Sequence, residues 1–182
     1  MKKLRKGFTL LELLVVIGVM GILSSTAMIA GQQATDAARA TTIADGLEKA
    51  ASAMMMYYSD NASTIATSTT TTAAAVATGA NVYLKAADSL ESATGDNSLT
   101  AGKYTVILTG EAPAQTWWIA YQLPDTDVGG VGAILKNKAA RMELKTSTGE
   151  DGTTYAGGAT VVMKVRGKTA AEEEEEEGDG NG

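Results

Sequence analysis

The sequence predicts an α+β protein in which one long N-terminal helix, apolar in its first half and amphipathic in its second, packs on a small antiparallel β-sheet. Three observations predict it. No charged residue falls within 13–35, apolar residues then recur at three- and four-residue spacing as far as Tyr58, and beyond residue 103 short clusters of β-forming residues alternate with Gly, Pro, Asp and Asn.

The first element is the apolar helix. At ~1.5 Å per residue the uncharged run 13–35 is roughly 35 Å long, enough to cross the hydrocarbon of a bilayer. Leu13, Leu14, Val15, Val16, Ile17, Val19, Met20, Ile22 and Leu23 cover every face of such a helix, so its surroundings must be apolar on all sides, as lipid or a bundle of helices is. Gly18, Gly21 and Ser25 add small residues that let helices approach closely. Ahead of the run stand Lys2, Lys3, Arg5 and Lys6, which hold the N-terminus on the cytoplasmic side and send the rest of the chain across. Glu12 interrupts the apolar character, and a carboxylate there is costly enough to imply a role. Ser25-Thr26-Ala27 keeps open a different fate, cleavage by signal peptidase and release of a chain beginning at Met28.

The helix continues as an amphipathic one. Ile43, Leu47, Ala50, Met54, Tyr57 and Tyr58 share a stripe, while Asp36, Arg39, Asp45, Glu48 and Lys49 fall largely elsewhere, so a single helix is expected over 9–59, ended by Asp60-Asn61. Met54-Met55-Met56-Tyr57-Tyr58 reads as the surface it packs with. Segment 60–102, rich in Thr, Ala and Ser, reads as an exposed connecting loop whose hydroxyls could carry sugar, and Asn61-Ala62-Ser63 fits a glycosylation sequon. A β-sheet head follows over 103–168, with strands expected at 104–108, 117–122, 133–136 or 141–145, and 159–165. Trp117 and Trp118 then point to opposite faces, one into the core and one outward, where a neighbouring subunit could meet it. Residues 169–182 form an acidic tail whose six consecutive glutamates, 172–177, are expected to repel one another and stay disordered.

Composition narrows the chemistry. The chain has 182 residues, no histidine and no cysteine, so imidazole bases, thiolate nucleophiles, His/Cys zinc sites and disulfides are all excluded. A formal net charge of −6 speaks against nucleic acid as a partner. Gly167-Lys168-Thr169 resembles the end of a phosphate-binding loop, but the glycine such a loop needs five residues earlier is Val162. Asp125-Thr126-Asp127 and Glu150-Asp151-Gly152 are acidic turns that match no complete calcium loop. No catalytic constellation, cofactor or metal is therefore expected.

The N-terminal residues carry a resemblance. Lys6-Gly7-Phe8-Thr9-Leu10-Leu11-Glu12, followed by Leu13-Leu14-Val15-Val16-Ile17, resembles the class III signal of type IV pilins and pseudopilins over about the first thirty residues. The resemblance implies that a prepilin peptidase removes the basic leader 1–7 by cutting between Gly7 and Phe8, and that the new Phe8 amine is methylated. The helix then stays attached, with 8–31 serving first as a transmembrane segment and later as filament core, and 32–59 as its amphipathic continuation. Glu12 matches the glutamate thought to pair with the N-terminal ammonium of an adjacent subunit; each charge alone is expensive in an apolar core, and pairing recovers much of that cost while fixing register. Many pilins carry a proline late in this helix, whereas here the stretch reads Thr26-Ala27-Met28-Ile29-Ala30-Gly31, so no proline kink is expected.

By the same resemblance the partners are further copies of the chain in a homopolymer, the prepilin peptidase, an assembly ATPase, a platform membrane protein and, before assembly, membrane lipid. The precursor would be a single-pass protein of the cytoplasmic membrane and the product a pilus, or fimbrium, at the cell surface. Two rivals stand beside this reading: a pseudopilin of a type II secretion or DNA-uptake system, assembling across the periplasm, and a secreted binding protein.

Overall fold

In the computed structural model, which describes residues 8–85, 89–93, 99–112, 114–148 and 152–166, helix α1 runs from Leu10 to Thr67. At ~1.5 Å per residue it is about 87 Å long. Residues 8–35 are exposed throughout, and the first buried residue is Ala40. From there Ala40, Ile43, Ala44, Leu47, Ala50, Ala53 and Met54 form the expected stripe. Its side chains are mostly small, so the helix axis lies close to what it packs on. Gly46 belongs to the same approach, since a Cβ there would collide with the Tyr104 ring.

The helix does not end at Asp60-Asn61. Asn61 does leave helical geometry, at φ −118° and ψ 15°, but the chain re-enters helix and continues to Thr67. Burial of Ile65 against the core holds this last turn in place, so the break signal produces a kink rather than a terminus. The connecting loop expected over 60–102 is also largely ordered. Helix α2 occupies Ala73–Ala80, a 3-10 turn Asn81–Tyr83 follows, and strand β1 spans Leu90–Ser92. Thr72 caps α2 by accepting from the Ala75 amide, and Val76, Ala77 and Ala80 turn into the core. Asn81 then fixes β1 through its amide group, donating to the Leu90 carbonyl at 3.0 Å and accepting from the Leu90 amide at 2.7 Å.

The remaining elements are β2 (Tyr104–Thr109), β3 (Thr116–Gln122), α3 (Gly130–Met142), β4 (Leu144–Lys145) and β5 (Thr160–Arg166). They make one five-stranded sheet in the order β1-β2-β3-β5-β4. The sheet is mixed rather than antiparallel throughout, because β1 pairs with β2 in parallel. Of the two alternatives for the third strand, 133–136 lies inside α3, where Val131, Gly132, Leu135 and Ala139 are buried at helical spacing. Only the last two residues of 141–145 are strand, entered through Glu143 in the left-handed conformation at φ 52°.

The inner face of the sheet, with Val106, Trp117, Ile119, Tyr121, Val161 and Met163, meets α1, α2 and α3 in one core. Tyr57 and Tyr58 flank Trp117, Tyr58 edge-on at a centroid distance of 5.6 Å. Trp118 does point to the opposite face, but it is only 2% exposed and so offers no open contact to a neighbouring subunit. The Met cluster divides as well: Met54 is core, whereas Met55 and Met56 face solvent.

Candidate assembly site on the N-terminal arm

The head holds the arm at a fixed angle through its second half. Arg39 donates from Nη1 to Asp127 Oδ1 at 2.7 Å. Asp127 is nearly buried, so this partner neutralises a carboxylate that would otherwise be stranded. One turn earlier, the Asp36 carboxylate lies against Gly130 in the first turn of α3, where the helix dipole favours negative charge and a Cβ at position 130 would displace the carboxylate. The acidic turn Asp125-Thr126-Asp127 thus ties the head to α1. Among the described residues no three carboxylates converge as a metal site would require. Glu150 and Asp151 of the other acidic turn lie outside the described residues.

Beyond this shoulder the arm projects alone. Phe8 is 91% exposed, Leu10 83% and Ile22 68%. Burying one such side chain is worth about 1.5–3 kcal/mol, so the whole surface standing in water would cost on the order of 20 kcal/mol. Its natural surroundings are therefore apolar, and α1 is long and apolar enough to cross a membrane. No residue from Leu10 to Asp60 departs from helical geometry, Gly31 included, so the arm and the head helix are one continuous rod.

At the tip, Thr9 has extended backbone angles, φ −80° and ψ 152°, and caps the helix. Its hydroxyl accepts from the Glu12 amide at 3.2 Å, while Glu12 Oε2 accepts from the Thr9 amide at 2.8 Å and from the Thr9 hydroxyl at 2.9 Å. This reciprocal pair satisfies two otherwise unpartnered helix-terminal amides. Thr9 was not singled out above, although Thr-x-x-Glu before an apolar run is the spacing that marks such a cap. The arrangement gives Glu12 two donors within its own chain, which lowers the cost of carrying a carboxylate into an apolar layer. It also places the carboxylate one turn from Phe8, the residue after the expected cut. Lys2, Lys3, Arg5, Lys6 and Gly7 lie outside the described residues, as do 172–177 and Gly167-Lys168-Thr169. The Asn61 of the sequon sits within α1, its amide donating to the Tyr57 carbonyl at 2.9 Å.

Residues 2–28 match the family model of the prokaryotic N-terminal methylation motif. The N-terminus is thus a type IV pilin-like class III signal, which supports a pilin- or pseudopilin-like protein, points to a structural subunit and is consistent with a membrane-anchored precursor. The α+β arrangement, a long N-terminal helix on a mixed sheet, is consistent with the pilin fold. Comparison with curated proteins and with solved structures finds no match.

Proposed function

With that signal as premise, we propose that the chain is a structural subunit of a type IV pilus-like filament, anchored in the membrane before assembly and polymerised through its N-terminal arm. The prepilin peptidase removes 1–7 between Gly7 and Phe8, and the exposed Phe8 amine is methylated. The observation that carries the reading is the arm itself: residues 8–35 are exposed, and from Leu13 to Leu23 the arm is apolar on every face. Lipid satisfies that surface in the monomer and identical arms satisfy it in the filament, so extraction exchanges one apolar environment for another. Glu12 then changes partners, from its own Thr9 to the N-terminal ammonium of a neighbour, which sets the axial register. The subunit does no chemistry, and the work of assembly falls to an ATPase and a platform membrane protein.

The test is intact mass together with N-terminal peptide mass spectrometry on protein from whole cells and from sheared surface material. A chain beginning at N-methylated Phe8 and abundant in the sheared fraction is the expected result. The same processed chain retained in the envelope would replace the surface pilus with a periplasm-spanning pseudopilus. A soluble chain beginning at Met28 would overturn assembly altogether.

A further inference from the structure

Where the arm enters the head, a cleft of about 480 Å³ opens beside α1. Arg39 on the helix forms one wall, Gly102 and Tyr104 at the start of β2 form the other, and the nearly buried Tyr121 and Asp127 lie deepest. The Tyr104 and Tyr121 rings pack on each other at a centroid distance of 4.9 Å, an amphipathic aromatic pair of the kind that suits the level where hydrocarbon gives way to water. Arg39 commits Nη1 to Asp127, and its side chain is still 55% exposed. A guanidinium carries five N–H donors in a planar fork, so the ion pair fixes its orientation and leaves donors for an anion in the cleft. The Thr35 and Thr42 hydroxyls on the same wall donate to the Gly31 and Ala38 carbonyls instead, which makes Arg39 the group that decides what the cleft takes.

The cleft also stands at a defined depth. Thr35 lies about 33 Å along α1 from Leu13, against roughly 30 Å of hydrocarbon, and Arg39 is about 6 Å further on, inside the headgroup layer. Thr35, Gly31 and Met28 continue the face of Arg39 toward the membrane at three- and four-residue spacing, all exposed. Nothing lies within 4 Å of a Cβ built at Gly31, and Met28 is 68% exposed, so an acyl chain can run along this face and bring its headgroup to the cleft. There the Arg39 fork matches a phosphate, while the Asp127 carboxylate beside it favours a cation over a second anion at the headgroup's end. We propose that the cleft holds one phospholipid from the leaflet on the head's side, its phosphate on Arg39 and a terminal ammonium toward Asp127, while the subunit is anchored in the membrane. Extraction into a filament must then break the Arg39–phosphate contact, so the cleft retains the subunit in the membrane until assembly. This inference rests on reading the arm as a membrane anchor.

The test is photo-cross-linking of the full-length protein in vesicles of equal phosphatidylethanolamine and phosphatidylglycerol, with a benzophenone side chain placed in turn at Ile22, Ala37 and Ala38 and the adducts identified by mass spectrometry. Ala38 lines the cleft, whereas Ala37 is exposed at the same depth outside it. Adducts at Ile22 and Ala37 should carry the two lipids in the vesicle ratio. Those at Ala38 should favour phosphatidylethanolamine roughly tenfold, the scale of one charge-assisted hydrogen bond. Arg39→Gln should abolish the preference. Because Arg39 also steadies the head, Arg39→Lys, which keeps the charge but not the planar fork, is the second variant and should weaken the preference without lowering the thermal midpoint. The vesicle ratio at Ala38, a preference for phosphatidylglycerol, or a preference that survives both variants would overturn the lipid site while adducts at Ile22 leave the anchor standing. No lipid adduct at Ile22 would overturn the anchor and the site together.

Discussion

Thr9 and Glu12 form a reciprocal cap within one chain, and on the proposed reading Glu12 leaves it for a neighbour's ammonium. If the cap is what makes Glu12 tolerable in lipid, then Thr9→Val should cut the yield of sheared filaments while Thr9→Ser preserves it. Immunoblots of the sheared fraction against the membrane pool read that difference. Arg39 is the second instructive residue, because its loss strands the Asp127 carboxylate beside α1. Arg39→Ala should destabilise the protein by about 1–2 kcal/mol, the scale of a charged hydrogen bond to a half-exposed partner, visible as a lower thermal midpoint. Two buried tyrosines set an alkaline limit. Burial pushes the Tyr155 phenol above its usual range, and burial with the nearby Asp127 carboxylate does the same for Tyr121. Folding favours the neutral phenols, so their contribution is complete below the unfolded pKa near 10 and lost as pH rises through the folded values. Phenolate absorbance and unfolding should therefore appear together above pH ~10.

Elements differ in how tightly they are packed, and two glycines of α1 measure it. A methyl group at Gly46 meets the Tyr104 ring, while at Gly18 nothing lies within 4 Å. Gly46→Ala should destabilise the head by about 1–3 kcal/mol of overpacking, reduced by ~1 kcal/mol of helix propensity. Gly18→Ala should leave the melting of the head unchanged. The same contrast explains what could be read from sequence. The stripe of α1 and the strands β2, β3 and β5 were legible because periodicity survives over many residues, whereas α3 was not. Val131, Ile134 and Leu135 make a short apolar run that suits strand or helix equally, and only burial of Gly132 and Ala139 settles the helical face. Helix α2 hid in a Thr/Ala tract that looks like a loop, although alanine is the best helix former and Thr72 a good cap. Strand β1 depends on Asn81 and on a partner fourteen residues away, which local pattern does not encode. At the site, Glu12 stood out as a charge in an apolar run, while Thr9 required attention to spacing.

As a whole the molecule is a head whose core begins at Ala40 and an arm that contributes nothing to that core. A chain starting at Asp36 should therefore melt at the same midpoint as the full protein in detergent, by circular dichroism, and should remain soluble without detergent. Because α1 has no break between the arm and the head, the two share one angular phase. Inserting a single residue between Thr35 and Asp36 would advance the head by only ~1.5 Å but swing it by about 100° around the rod. An eighteen-residue insertion, about five full turns, would restore the azimuth and displace the head by ~27 Å. In any polymer built on these arms, the helical lattice of the core thus dictates which way every head faces, and the spacing along one uninterrupted helix becomes the setting that decides which surfaces the outside world meets.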